Sequence, residues 1–304
     1  MSTQAPLDSI LDLVPALAGQ ARTTSVLEGG LTNANHRVDT NSGSYVVRRW
    51  DPDTGLLAID RDNEYENSVR AAAAGIGAPV VAYLPEHFTM VLGFVEGRTL
   101  TAADVRRGDR LDRIAAACRT LHGAERFRDD FDMFAIQPRY LALCRERGFQ
   151  IPEGYAGFEP HARAIADALS VREEGTVPCN NDLLAENFID AGDRMFLIDY
   201  EYSGNNDPCF ELGNLWSESN LTPAQLDQLI AAYYGRHLRH KVARARLWGL
   251  MSKYGWMLWA AIQHAVSDID FDFWEWGMEK YQRAVAEFES PQFERLLDEA
   301  RRAD

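Results

Sequence analysis

Residues 177–214 read VPCNNDLLAENFIDAGDRMFLIDYEYSGNNDPCFELGN, and the reading of the whole chain follows from them. Asp182 and, five positions later, Asn187 stand just before the strand-like pair Phe188-Ile189. The turn Ala191-Gly192-Asp193-Arg194 leads into a second apolar run, Met195-Phe196-Leu197-Ile198, which delivers Asp199 at its end. Two such runs across a glycine-containing turn predict a hairpin, with Asp182, Asn187 and Asp199 at one edge. Two carboxylates and an amide are hard oxygen donors, suited to Mg²⁺ and to holding a hydroxyl for attack on a phosphate.

The D-x-x-x-x-N spacing followed by a later acid matches the protein-kinase plan, in which the first Asp accepts the hydroxyl proton and the Asn and second Asp bind metal. The stretch more closely resembles the choline kinase and aminoglycoside phosphotransferase superfamily, whose loop reads H-N-D-x-x-x-x-N followed by I-D-[WYF]-E. Here the residues are Asn180-Asn181-Asp182, then Ile198-Asp199-Tyr200-Glu201, so Asn180 takes the place of the usual His. The resemblance implies a bilobal α+β fold of the protein-kinase type, with a small β-rich first lobe and a large, mainly helical second one. It also implies Asp182 as catalytic base, Asn187 and Asp199 as Mg²⁺ ligands, and ATP as phosphate donor. Asn180 is expected to change the support of the loop more than its chemistry.

Upstream, Gly29-Gly30-Leu31-Thr32-Asn33 puts two glycines before small polar residues, either an ordinary hairpin turn or one whose N–H groups face a phosphate. It resembles the GGLTN phosphate loop of choline kinases, which implies nucleotide contacts from Gly30, Thr32 and Asn33. Residues 44–50 form a β-propensity run ending in cations. In the resembled plan Arg48 is the strand cation that meets the phosphates, while Arg49 faces the other side of the strand. A helix predicted over residues 60–74 must supply the acid that holds Arg48 in that plan. Glu64 is the choice and Glu66 the alternative, since residues two apart on a helix point in different directions. Residues 79–83 and 88–94 read as strands leading into Gly93-Phe94-Val95, the superfamily's hinge, where Gly93 and Val95 would face adenine. An amphipathic helix is predicted over residues 7–14. Strand patterns dominate up to the hinge and helical patterns beyond it. That divides the chain into residues 1–95, a nucleotide-binding lobe, and residues 96–304, a catalytic and substrate-binding lobe.

Helices are predicted beyond it over residues 102–122, 136–146 and 158–171, and from the Thr222-Pro223 start to about His240. Five of the seven tryptophans follow: Trp248, Trp256, Trp259, Trp274 and Trp276. Trp256, Trp259 and Gln263 share a helix face. Such a stripe ordinarily means core, but aromatic walls also bind quaternary ammonium by cation–π attraction. The segment is similar to the end of choline kinases, where W-x-x-W-x-x-x-Q precedes F-x-x-x-x-[YW]. That match implies Trp256, Trp259, Phe271 and Trp276 as walls of the substrate site, with Glu218 near the substrate cation.

The rest of the composition excludes more than it asserts. A net charge of −15 argues against nucleic acid and anionic membranes as partners and suits a small cationic substrate. Cys118, Cys144, Cys179 and Cys209 show no CxxC pairing and read as reduced thiols of a cytoplasmic protein. His237 and His240, among Arg236, Arg239 and Lys241, read as a solvated basic face. The expected function is therefore ATP- and Mg²⁺-dependent phosphorylation of the hydroxyl of choline or a related amino alcohol. The alternatives are a kinase of ethanolamine, thiamine, an aminoglycoside or a sugar, and a silent nucleotide- or choline-binding protein.

Overall fold

The computed structural model describes residues 6–51, 54–172 and 174–302. A short helix α1 (Leu7–Leu11) ends three residues earlier than its pattern suggested, yet Val14 is still buried beside it. Strands β1 (Arg22–Leu27), β2 (Asn33–Thr40) and β3 (Gly43–Trp50) form an antiparallel meander. Helix α2 (Arg61–Ala73) follows, with the Asp60 carboxylate accepting from the Asp62 and Asn63 N–H groups and so satisfying two of its free amides. β4 (Val80–Leu84) and β5 (Thr89–Gly93) complete a five-stranded sheet in the order β1-β2-β3-β5-β4. One face packs Val38, Val47 and Val91 against α1; the other carries Met90 and Leu92.

Beyond the sheet the chain is mainly helical. The dipeptide strand β6 (Arg98–Thr99) precedes α3 (Ala102–Val105) and α4 (Gly108–His122), where one continuous helix was predicted. A capping box between Thr101 and Asp104 starts the first, and the chain breaks at Arg106-Arg107 before the second. α5 (Met133–Arg147) begins earlier than predicted because Asp132 caps it, and it carries Pro138 inside. After α6 (Glu159–Ser170) come β7 (Val177–Cys179), β8 (Phe188–Asp190), β9 (Met195–Leu197) and β10 (Gly204–Asn206). β8 and β9 form the predicted hairpin, with Phe188 opposite Leu197, and β6 adds to its edge.

Helices α7 (Pro208–Glu218), α8 (Pro223–Tyr234), α9 (Arg239–Val266), α10 (Phe273–Phe288) and α11 (Gln292–Arg301) complete the fold. The helix predicted to run to His240 instead stops at Tyr234, because Gly235 adopts φ 74° and ends it in the left-handed conformation. His240 consequently begins a new helix and is buried near Glu174, not spread on a solvated basic face. α9 is buried nearly all round and forms the axis on which α7, α10, α5 and α11 pack. α7 crosses it almost backbone to backbone: a Cβ at Gly249 would lie 2.6 Å from the Gly213 carbonyl oxygen. With α7 packed this closely, Glu218 at its end lines the same cavity as Trp256 and Trp259 of α9.

All four cysteines are free and buried. Among the described residues no helix is long and apolar enough to cross a membrane.

Candidate active site

The catalytic stretch gains its shape from buried hydrogen bonds. The Glu211 carboxylate, on α7, accepts from the Asn180 N–H at 2.9 Å and the Asn181 N–H at 2.8 Å, holding Asn181 at φ 66°. Asn180 then ties the loop to the hairpin end. Its amide nitrogen donates to the carbonyls of Ile198 (3.2 Å) and Asp199 (2.7 Å), and its oxygen accepts from the Asp182 N–H at 3.1 Å. Asn187 donates to the Asp182 carbonyl at 2.8 Å, which leaves its own oxygen as the free ligand atom. Asp182, Asn187 and Asp199 are thus brought together as the hairpin predicted, and Asn180 supplies the loop's support.

Around Asp199 lies an ion network larger than the sequence suggested. Arg48 Nη2 is 2.8 Å from Asp199, 3.4 Å from Glu64 and 3.7 Å from Glu201. Arg61 completes it, 2.6 Å from Glu64 and 3.0 Å from Glu201, with its side chain over Trp50. Glu64, 1% exposed, is the acid that faces Arg48; Glu66 pairs instead with Arg70 and Arg128. Burial alone would lower the Arg48 pKa, but the three carboxylates outweigh it and raise it. Burial pushes Asp199 up to about 6 against the pull of Arg48. Asp182 is held well above the usual carboxylate range by desolvation, then by Asp199, Glu218 and Glu201. Arg61 and Glu201 were missed as site residues, although Glu201 stands in the quoted IDYE motif.

Thr32 and Asn33 turn to this network too: both hydrogen-bond to the Glu201 carboxylate, Asn33 at 3.0 Å. Gly30 sits where no side chain fits, since a Cβ would lie 2.6 Å from the Asn33 carbonyl oxygen. Gln263 of α9 donates to the Leu31 carbonyl at 2.8 Å, so this loop is fastened to both halves of the molecule.

Two cavities, each of about 350 Å³, meet at Gly30, Asn187 and Asp199. The first runs between the sheet and the hairpin to Gly93 and Val95, with Val46, Leu92, Ile189 and Ile198 as aliphatic walls and Arg48 at its inner end. The second holds Asp182 and Glu218 and is walled by Trp256, Trp259, Phe271 and Trp276, all four of the predicted aromatics. Trp259 is its hub, edge-on to Trp256 and to Trp276, with its N–H donated to Tyr202 at 2.7 Å. Tyr202, three residues after Asp199, also lines this cavity and was not singled out from the sequence. Trp248 and Trp274 lie elsewhere, Trp248 donating to Asp207.

Comparison with known proteins agrees with this geometry. The family model for choline/ethanolamine kinase matches residues 24–229. The chain belongs to the choline/ethanolamine kinase family. It is similar to the crystal structure of a choline/ethanolamine kinase family protein from Mesorhizobium loti, at 32% identity and a TM-score of 0.83, covering 96% of this chain and 97% of that one. Choline kinase LicA from Streptococcus pneumoniae is 26% identical with a TM-score of 0.78, covering 92% of this chain and 97% of LicA, and a structure of a LicA in complex with AMP is likewise similar, with a TM-score of 0.73. Ethanolamine kinase 2 of Mus musculus is 26% identical over 306 residues, 90% of this chain and 78% of that protein. As a member of this family the protein is a kinase that uses a nucleotide to phosphorylate the alcohol group of a small molecule, on a protein-kinase-like fold.

Proposed function

We propose that the protein transfers the γ-phosphate of ATP, with Mg²⁺, to the hydroxyl of choline or a related amino alcohol. The observation that carries this reading is the junction of the two cavities, where Asp182, Asn187 and Asp199 stand between an aliphatic slot and an aromatic chamber. The slot suits a purine between Val46, Leu92 and Ile198, with the hinge alongside. The N–H groups of Gly93 and Phe94 are spent on Pro79 and Ser44, so the base would read the Gly93 carbonyl and Val95. The division of the chain near residue 95 into nucleotide and acceptor lobes belongs to this proposal.

Asn187 and Asp199 fit Mg²⁺ as a donor set of hard oxygens, one amide and one carboxylate, at the cavity junction. When bound, Mg²⁺ neutralises charge on the transferring phosphates. The protein does the positioning. Backbone N–H groups at Gly30 steady the phosphates, and Arg48, fixed by Glu64, adds a permanent charge. Asp182 orients the acceptor hydroxyl and takes its proton as the bond from that oxygen to the γ-phosphorus forms and the bond to the β–γ bridging oxygen breaks, with ADP leaving. General-base help of this kind contributes about 10²–10⁴ in rate. Trp256, Trp259, Phe271 and Trp276 hold the acceptor's cationic end.

ADP release from ATP and Mg²⁺ with choline, ethanolamine, thiamine and kanamycin, beside an Asp182→Asn control, tests the reading. Turnover with an amino alcohol, abolished in the control, is the expected result. Turnover with thiamine or kanamycin alone would discard the aromatic chamber as an amino-alcohol site.

A further inference from the structure

Lys280, on α10, is 4% exposed, and the mechanism gives it no role. Its ammonium forms an ion pair with Glu218 Oε2 and lies over the Trp276 ring, 4.0 Å from the centroid. Glu218 and Trp276 both line the acceptor chamber, while Lys280 reaches them from outside that lining. A resident cation behind the chamber wall therefore already engages one oxygen of the chamber's acid and one of its aromatic rings. The other carboxylate oxygen, Glu218 Oε1, is buried without a hydrogen-bond partner. A buried acceptor left in that state is costly unless a ligand brings it a donor.

We infer that Lys280 is a specificity-determining residue that selects acceptors whose ammonium still carries an N–H. This rests on the amino-alcohol kinase reading and sharpens it. A primary to tertiary ammonium donates to Glu218 Oε1 and gains a charge-assisted hydrogen bond. A trimethylammonium has no hydrogen to give. It depends on the rings alone and so loses most where Lys280 already takes up the Trp276 ring, whereas an ammonium drawn to Glu218 Oε1 relies on that ring less. The dividing line therefore falls between tertiary and quaternary nitrogen and not at each added methyl.

The test is steady-state ADP release with ethanolamine, N,N-dimethylethanolamine and choline, in the wild type and in Lys280→Met. In the wild type the two acceptors with an N–H are expected to share a similar kcat/KM, with choline lower by about 3- to 30-fold, the size of one cation–π contact. Lys280→Met should move the ratio toward choline by a comparable factor, and Lys280→Arg should restore the wild-type order. Should Lys280→Met fail to fold with Glu218 unpaired, the double variant Glu218→Gln/Lys280→Gln leaves no lone buried ion and should shift the ratio the same way. Choline preferred over dimethylethanolamine by the wild type, or a ratio unmoved in an active variant, would overturn the assignment while leaving the kinase reading intact. Absence of turnover with all three acceptors would remove the kinase reading first and this inference with it.

Discussion

The two cavities have the same volume but are built by opposite means. The slot along the hinge is made of strands: its walls alternate along β3 and β5, and its charged end is fixed by three acids and two arginines. The aromatic chamber is lined by the helices α7, α9 and α10, by the stretch around Asp182 and by the Gly29–Thr32 turn, so its walls come from residues far apart in the chain. In the slot, specificity rests on fixed charge and backbone; in the chamber, on polarisable ring faces whose potential a neighbouring ion can alter. One region can therefore stay constant while the other is retuned by single substitutions.

That contrast can be broken experimentally. Asp182→Ala should lower kcat by about 10²–10⁴ while nucleotide affinity, measured by titration calorimetry, stays near the wild-type value. A loss under about tenfold would sink the assignment of Asp182 as base. Arg48→Met strips the cation from Glu64, Asp199 and Glu201 and should cost about 3–5 kcal/mol in urea unfolding, since it leaves buried carboxylates without their partner. An unchanged midpoint would show that Arg61 alone can hold the network. Asn180→Ala removes three hydrogen bonds of the catalytic loop and should lose about 1–3 kcal/mol, with kcat falling more than nucleotide affinity. Phe271→Ala should do least. This ring is 39% exposed at the chamber's rim, so the acceptor KM should rise only about twofold to fivefold, as for an exposed cation–π contact, and the ATP KM should not move.

The slot was more legible in the sequence than the chamber, for a physical reason. Asn187 and Asp199 flank one hairpin, so strand alternation and turn chemistry suffice to bring them together, while Asp182, on the chamber side, is held by its hydrogen bonds with Asn180 and Asn187. Arg48 and Glu64 sit on adjacent elements, and the two-residue offset of Glu66 sends it to other partners. Arg61 escaped because an arginine at the start of a helix ordinarily faces solvent, and only the folded position of Glu201 draws it inward. The four aromatic walls came from the resemblance to the choline-kinase W-x-x-W-x-x-x-Q and F-x-x-x-x-[YW] patterns, which say nothing of the charge behind them. Lys280 meets Glu218 across 62 residues of sequence, and no periodicity connects them. Helix stops failed for a related reason. Gly235 turns left-handed inside a stretch predicted as one helix, and the polar run Arg106-Arg107-Gly108-Asp109-Arg110 separates Val105 from Leu111, so these local breaks and not the longer apolar pattern decide where the helices end.

Asn180 has a consequence for acidity. Where relatives of this motif carry an imidazole, the loop contains a group that titrates near pH 6.5 and changes its donors as it does so. A carboxamide neither gains nor loses a proton across that range. None of the three contacts made by Asn180 therefore depends on an ionisation of its own side chain, and the scaffold beneath Asp182 has no titrating group at that position.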